Sequence, residues 1–286
     1  MTIRQRPHYE YQIKRFVSAF ITHTILGLVS ITCIFPLIWM FSSALKTQRT
    51  VFSDMSLFPG NPQWINFKIA WTKANFGTYF FNSVLYTIVV VLGVVLISSL
   101  AAYAFSRLEF PGRRLFFMVF MATMMIPIPG SFIALYVLLT KLNLVNTRIG
   151  YVLPQINGGL ALGIFLLKTF FDKMPKELED AARIDGCGKF GIYWHVALPL
   201  AKQALAVLVI FVALGVWNEY LLAMLVLSSK TLMPLQRGLM VFQGSHLTEY
   251  PLLMAGITIT IVPIITVYLI MQKYIIKGIM AGAVKE

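Results

Sequence analysis

Six long apolar segments constrain this chain more than any other feature of its sequence. An α-helix needs about 20 residues to cross roughly 30 Å of hydrocarbon, and each segment reaches that length. Hydrophobic residues make up 58% of the chain and charged residues only 12%, which is unlike a soluble domain. We therefore predict an all-α membrane protein with six transmembrane helices. The segments cover residues 16–45, 79–105, 115–139, 150–171, 203–228 and 251–276.

The distribution of Lys and Arg predicts how these helices are oriented. Alternate loops and both termini on one side carry 16 of the 24 basic residues, and the other side carries 8. Loops that cross the membrane tend to lack basic residues, so the richer side is expected to be cytoplasmic. That side includes the arm 1–15, the loop 172–202 and the tail 273–286, whereas the loop 46–78 is expected outside. The first apolar run lacks a small-residue cleavage site, which favours a retained helix over a signal peptide.

Several function classes are not expected from this composition. The net charge of +13 comes from basic residues scattered between apolar runs, so a nucleic-acid surface is not predicted. No phosphate-binding loop is present, because residues 186–189 lack the spaced glycine and the Ser or Thr that ATP binding needs. Neither a disulfide framework nor a metal site is expected from the cysteines and histidines, which are scattered. These residues are Cys33, Cys187, His8, His23, His195 and His246.

The loop 172–202 contains the most informative pattern in the sequence. Pro175 suits the first turn of a helix, and the acidic residues that follow favour the positive end of the helix dipole. Gly186 is a typical helix-ending residue. On helical spacing Leu178, Ala181 and Ala182 share one face, so we expect a short helix with a small apolar face directed away from the membrane.

A second amphipathic piece follows between Phe190 and Leu198 and leads into Pro199. Its aromatic residues Tyr193 and Trp194 suit a membrane interface. One interpretation is therefore that both pieces lie among lipid headgroups. The acidic, small-faced first piece favours the other interpretation, a groove in a partner protein.

The same loop resembles the coupling-loop signature of ABC importer permeases. The matching residues are Asp180-Ala181-Ala182, Gly186 after three more residues, and Val196-Ala197-Leu198-Pro199 after nine more. The family usually has Glu where this chain has Asp180, which keeps the charge and shortens the side chain by one methylene. Further likeness to the carbohydrate-uptake branch, in particular its second, smaller maltose-type permease, lies in Leu144–Gly150, Trp217–Glu219 and Gly278–Lys285.

The resemblance implies a type I ABC importer permease fold in the bacterial cytoplasmic (inner) membrane. The resemblance covers roughly residues 79–286, and it implies a permease core at 79–272 and a sugar or sugar-like solute. The first transmembrane helix at 16–45 follows from the apolar segments. The expected partners are a second homologous permease, two cytoplasmic ATPases that bind ATP, an extracytoplasmic solute-binding protein and membrane lipid. No cofactor is expected in this chain. The ATPases would contact two sets of residues: Glu177, Leu178, Asp180, Ala181, Ala182, Asp185, Gly186, Leu198 and Pro199 in the loop, and Gly282, Ala283, Val284 and Lys285 in the tail.

Polar residues within or near the apolar segments are candidates for the solute pathway, because sugars need hydrogen-bonding partners. Glu219 is costly in a membrane unless it is hydrated or paired, but it could equally anchor a helix at the outer interface. The spacing of Gly159 and Gly163 suits close helix packing, with pathway lining as the alternative. The pathway candidates are Asn82, Asn157, Asn218, Glu219 and Thr258.

Two other classes of membrane protein are alternatives to an importer permease. A multi-pass membrane enzyme should carry a convergent set of His, Asp, Glu or Ser residues, and an ion-coupled secondary carrier should carry several ionisable groups in its spans or an inverted repeat. The apolar segments contain a single acid, Glu219, and no repeat is evident. Neither class explains the pattern of the loop 172–202.

Overall fold

A computed structural model describes residues 8–125, 131–244 and 248–283, with side-chain positions from 15 to 272 within these ranges. The described residues form helices and loops without a β-strand, as an all-α protein requires. The long helices are α1 (His8–Ala44), α3 (Phe76–Arg107), α6 (Arg148–Asp172), α10 (Lys202–Trp217) and α13 (Tyr250–Ala283). The shorter ones are α2 (Ile65–Lys73), α4 (Arg113–Met125), α5 (Ser131–Lys141), α7 (Glu177–Ile184), α8 (Lys189–Ile192), α9 (Leu198–Leu200), α11 (Leu221–Val226) and α12 (Leu235–Gly238).

Within the described ranges, four helices are long and apolar enough to cross a membrane: α1 from Arg15, α3, α6, and α13 as far as Gln272. A fifth span is formed if residues 189–200 and α10 count as one, although they are bent by 75°. The predicted span at 115–139 corresponds to α4 and α5, which are shorter, and residues 126–130 lie outside the described residues. Six spans therefore remain a prediction.

The predicted helix 203–228 is wrong in its second half. The helix α10 ends at Trp217, and a separate short helix, α11, begins at Leu221. The break arises where the Glu219 carboxylate accepts hydrogen bonds from the backbone N–H groups of Leu222 and Ala223. An acidic side chain that binds these free N–H groups starts a new helix rather than continuing the old one.

The described residues form two compact units. One contains residues up to 70 together with 242–258, and the other contains 71–241 together with residues from 259 onward. In the first unit, Lys46 is buried beside the ring of Trp39 and its ammonium donates to the Asp54 carbonyl at 2.6 Å. Asn66 donates to the carbonyls of Ala44 and Lys46, so the end of α1 is tied to the segment that follows it.

The second unit is built around α3 and α6, which approach closely through small residues. A Cβ atom on Gly159 would lie 2.7 Å from Val94 Cγ2, and one on Gly163 would lie 2.6 Å from Ser98 Oγ. Gly93 of α3 faces Ile156 of α6 in the same way, at 2.7 Å. These contacts favour the packing interpretation of the Gly159 and Gly163 spacing, since small residues let membrane helices meet at short range.

Candidate functional site

The helix α7 connects to the end of α6 through only a few residues. The backbone N–H groups of Glu179 and Asp180 both bind the carbonyl of Lys176, so the first helical turn begins there and Pro175 precedes it. The helix therefore begins about two residues later than the prediction that Pro175 belongs to its first turn. At the other end Gly186 has a φ of +83°, the left-handed conformation that ends a helix most easily when the residue is glycine.

One face of α7 is exposed and apolar. Ile184 is 88% exposed and Leu178 is 42% exposed, and Ala181 lies exposed between them on helical spacing. The acids Glu177, Asp180 and Asp185 are exposed as well. We call Leu178, Ala181 and Ile184 the apolar stripe of α7.

The expectation that Ala182 shares this outward face is wrong. Ala182 is only 8% exposed and belongs to the buried core of the second unit, together with Met174, Ile192 and Tyr193. On a helical wheel, Ala182 lies between Leu178 and Glu179. The Glu179 side of α7 packs against the rest of the second unit, so Ala182 is buried there. Ile184, which the sequence placed only beside the face, takes its place on the exposed side.

The inner face of α7 carries an ion pair that the sequence analysis missed. Arg107 Nε, at the end of α3, lies 3.0 Å from Glu179 Oε1, and both side chains are 6% exposed. Arg107 Nη2 also donates to the backbone carbonyls of Phe171 and Met174. The available signals were weak: a basic residue ending a long apolar run, and an acid on the inward side of an amphipathic helix.

Exposed ion pairs surround this buried one. Arg183 Nη1 binds Asp180 Oδ1 at 2.9 Å, and Arg183 Nη2 lies 3.8 Å from Glu179 Oε2. At the end of α6, Asp172 accepts hydrogen bonds from Ser106 and from Lys168, each at 2.6 Å. Solvent screening makes such exposed pairs weak contributors to stability.

The second piece of the loop folds back onto α3. After α8, residues Tyr193–Ala197 form a π-helical turn that leads into α9, where Leu198 is half-buried and Pro199 is exposed. The hydroxyl groups of Tyr193 and Ser99 are 2.8 Å apart and buried. Phe190 and Trp194 remain exposed, as a membrane-interface position would require.

Asn82 is not available to a solute. It is fully buried, and its amide donates to the backbone carbonyls of Thr231 and Met233 at 2.8 and 3.1 Å. Its carbonyl oxygen accepts from Arg148 at 3.4 Å. Burial therefore contradicts the predicted solute contact, and Asn82 instead holds the segment before α12 against α3.

The motif from Leu144 to Gly150 is also structural. The Asn146 side-chain oxygen accepts from the N–H groups of Ser228 and Ser229, and the Asn146 N–H binds the Val226 carbonyl at 2.8 Å. Thr147 caps α6 by accepting from the Gly150 N–H at 3.0 Å. A Cβ atom on Gly150 would lie 2.0 Å from the Leu144 carbonyl oxygen, so only glycine fits this turn.

Glu219 lies in the break after α10 rather than within a helix. Besides capping α11, its Oε2 accepts a hydrogen bond from the Tyr151 hydroxyl of α6 at 3.3 Å. Asn218 is exposed and its carbonyl oxygen accepts from Gln236 at 3.3 Å. Trp217 is buried and donates to the Thr260 carbonyl of α13 at 3.2 Å.

The remaining candidates are placed as follows. Asn157 is exposed on α6, and its neighbour Gly158 has open space on its Cβ side. Thr258 is half-buried, and its hydroxyl donates to the Met254 carbonyl within α13. In the tail, Gly282 and Ala283 are the last residues of the α13 backbone, and Val284 and Lys285 lie outside the described residues. Over the described ranges, no three His, Cys, Asp or Glu residues come close enough to hold a metal ion.

The family model, the curated relatives and the solved structure that match this chain all describe transport systems. Residues 93–280 match the family described as "Binding-protein-dependent transport system inner membrane component". This match covers α6 and the whole loop that contains α7.

Curated relatives match nearly the full chain. The diacetylchitobiose uptake system permease protein NgcG of Streptomyces coelicolor is 33% identical over 94% of this chain and 89% of its own length. The arabinooligosaccharides transport system permease protein AraQ of Halalkalibacterium halodurans is 34% identical, over 90% of this chain and 93% of that protein. The sn-glycerol-3-phosphate transport system permease protein UgpE of Yersinia enterocolitica is 31% identical, over 90% and 94%.

A solved structure shares the fold. A chain of a bacterial ABC transporter involved in the import of the acidic polysaccharide alginate superposes with a TM-score of 0.79 at 25% sequence identity. The match covers 96% of this chain and 99% of that chain.

Proposed function

Since this chain belongs to the family of binding-protein-dependent transport system inner membrane components, we propose that α7 is the helix through which ATP-hydrolysing partner subunits drive it. The chain is a permease subunit of an ABC importer for a sugar or sugar-like solute in the inner membrane. ATP hydrolysis belongs to the partner ATPases of such an importer, and the permease itself is not the enzyme.

The observation that carries the proposal is the apolar stripe of α7. Ile184, Leu178 and Ala181 are exposed on a helix whose opposite face is fixed to its own protein by the Arg107 ion pair. An exposed apolar stripe bordered by charges is typical of a helix that lies in a groove of a partner protein. The acids Glu177 and Asp180 make lipid headgroups a poor partner for this helix, because anionic lipids attract basic faces.

The other parts of the loop and the tail serve the same contact. Asp185 and Gly186 end α7, which leaves its apolar stripe exposed to a partner. Leu198 and Pro199 lie in α9, which leads into α10. The tail residues Gly282–Lys285 would also touch the ATPase. This arrangement requires both termini and the loop 172–202 on the cytoplasmic side, which agrees with the excess of Lys and Arg there.

The complex would contain a second homologous permease, two ATPases that bind the ATP, and an extracytoplasmic solute-binding protein, all assembled in the lipid membrane. The solute pathway on this chain would use neutral hydrogen-bonding groups. Asn157 and Asn218 support it best, because both are exposed and polar in or beside membrane-spanning helices. Thr258 and Glu219 remain secondary candidates, since both are half-buried whereas Asn157 and Asn218 are exposed.

Exchange of one residue tests the role of α7. Ile184→Asp puts a charge at the 88% exposed end of the apolar stripe, so the complex should lose its ATPase subunits on purification and lose solute uptake. Ile65→Asp, at an exposed Ile of α2, is the matched control and should keep both. Retention of ATPase and uptake by Ile184→Asp would exclude α7 as the contact.

A further inference from the structure

One face of α3 contacts the loop 172–202 at three successive positions. Ser99, Tyr103 and Arg107 are four residues apart, so they lie on the same side of the helix. We call them the α3 stripe. Ser99 binds the Tyr193 hydroxyl, and the Tyr103 ring packs against the rings of Tyr193 and Phe171, with centroids 5.3 and 5.9 Å apart.

Arg107 closes the stripe at its cytoplasmic end. Its guanidinium pairs with Glu179 and donates to the carbonyls of Phe171, in the last turn of α6, and of Met174, in the turn between α6 and α7. One side chain therefore joins the ends of α3 and α6 to α7. Arginine suits this position because its planar fork presents five donors, whereas a lysine ammonium could not face all three acceptors in a fixed geometry.

The contacts of the stripe are almost fully buried. The side chains of Arg107 and Glu179 are 6% exposed, and Ser99, Tyr103 and Tyr193 are buried as well. Separation of a buried ion pair leaves an uncompensated charge, which is far more costly than the loss of an exposed pair. Packed interfaces of this kind move as bodies rather than deform gradually.

We propose that the α3 stripe holds α7 and α3 as one rigid body, with Arg107 and Glu179 as the positioning residues. Displacement of α7 by a partner is thereby transmitted to α3 through Glu179, as well as along the chain to α6. The inference rests on the proposed function of α7 and adds the route by which its movement reaches the membrane helices.

The geometry of α7 supports this route. The apolar stripe of α7 faces outward and Glu179 faces inward. A partner that displaces α7 at Ile184 therefore also displaces Arg107, through the Glu179 contact on the opposite face of the helix. The contact between Ser106 and Asp172 joins only α3 and α6, and the Asp172 side chain is 45% exposed. It provides a control that lies on the same membrane face but does not touch α7.

Spin labels test the rigid body directly. Labels at Glu109→Cys and Lys176→Cys, both exposed, would report the distance from the end of α3 to the start of α7 in the complete complex, with Cys33 and Cys187 replaced by Ser. Distances are measured without nucleotide and with ATP plus EDTA, which permits binding without hydrolysis. The wild-type distance should change by less than about 2 Å, because rigid bodies keep their internal distances.

Variants at Glu179 then test the positioning pair. Glu179→Ala should leave the nucleotide-free distance unchanged and let ATP shift or broaden it by several ångströms, and Glu179→Gln, which keeps the shape, should give a smaller shift. Asp172→Ala should behave like the wild type. A purely structural pair would alter the distance without ATP as well.

A wild-type distance that changes on ATP binding would overturn the inference, and so would a Glu179→Ala distance that stays fixed. Loss of the complex in Glu179→Ala would assign the pair to folding and overturn the positioning role, while the wild-type measurement would still decide the rigid body. Failure of the proposed function itself is seen separately, as absence of ATPase subunits from the purified wild-type complex.

Discussion

Gly163 of α6 approaches Ser98 of α3 so closely that a Cβ atom on the glycine would lie 2.6 Å from the serine hydroxyl. One turn away, a Cβ atom on Gly159 would lie 2.7 Å from the Val94 side chain, so the two helices are equally close there. The seam between these two helices therefore depends on the absence of side chains at both glycines. This contact between α3 and α6 holds in place the two helices against which the loop containing α7 packs.

Gly163→Leu is expected to destabilise the permease by at least about 1–3 kcal/mol, the usual cost of overpacking a tight core. The measurement is the midpoint of thermal unfolding of the purified chain in detergent. Gly158→Leu is the matched control, since the space beside Gly158 is open and its midpoint should stay near wild type. Equal midpoints for both variants would contradict the close seam.

Glu219→Ala should cost about 0.5–2 kcal/mol, because the N–H groups of Leu222 and Ala223 would lose their carboxylate cap. Glu219→Gln, which keeps one acceptor oxygen, should recover part of that loss. The free energy of unfolding can be followed in denaturant, with Glu109→Ala as the control at an exposed acid. If Glu219→Ala unfolds like Glu109→Ala, the cap is not what holds the break after α10.

Gly186→Ala should weaken the end of α7 by about 1 kcal/mol, because a side chain is strained at a φ of +83° although the space around it is open. Gly186→Asn should cost less, since asparagine tolerates this conformation better than alanine. Gly188→Ala is the control, since Gly188 has a φ of −73°. Protection of the α7 amides from hydrogen exchange provides the measurement, and identical protection in the Gly186→Ala and Gly188→Ala variants would refute the argument.

The sequence predicted what depends on local pattern and missed what depends on packing. The acids at Glu177, Glu179 and Asp180 and the glycine at 186 place α7 to within two residues, because dipole and chain-ending effects act locally. No local signal distinguishes the outward Ile184 from the inward Ala182, since the inward side is set by Arg107, 72 residues before Glu179. The position of the break at Glu219 likewise depends on a cap within a run that is apolar on both sides.

Burial decides which of the predicted solute-pathway residues can contact a solute. Asn82 and Asn157 are alike in sequence, each an amide in an apolar segment, and burial alone separates them. Asn82 binds backbone carbonyls inside the protein, whereas Asn157 is exposed on a helix that is long and apolar enough to cross the membrane. A polar group exposed on such a helix is costly against lipid, which favours a water-filled pathway beside it.

Asn157→Leu should therefore raise the solute concentration for half-maximal uptake at least several-fold, because a hydrogen-bonding group of the pathway is replaced by an apolar one of similar size. Co-purification of the ATPases should be unchanged, since α7 and the α3 stripe are intact. Thr169→Val is the control, an exposed α6 residue whose hydroxyl binds the Phe165 carbonyl of its own helix. Uptake can be measured in liposomes containing the assembled complex. If Asn157 faced lipid, leucine at this position would stabilise the protein. Unchanged uptake with a higher unfolding temperature would therefore place Asn157 against lipid instead of in the pathway.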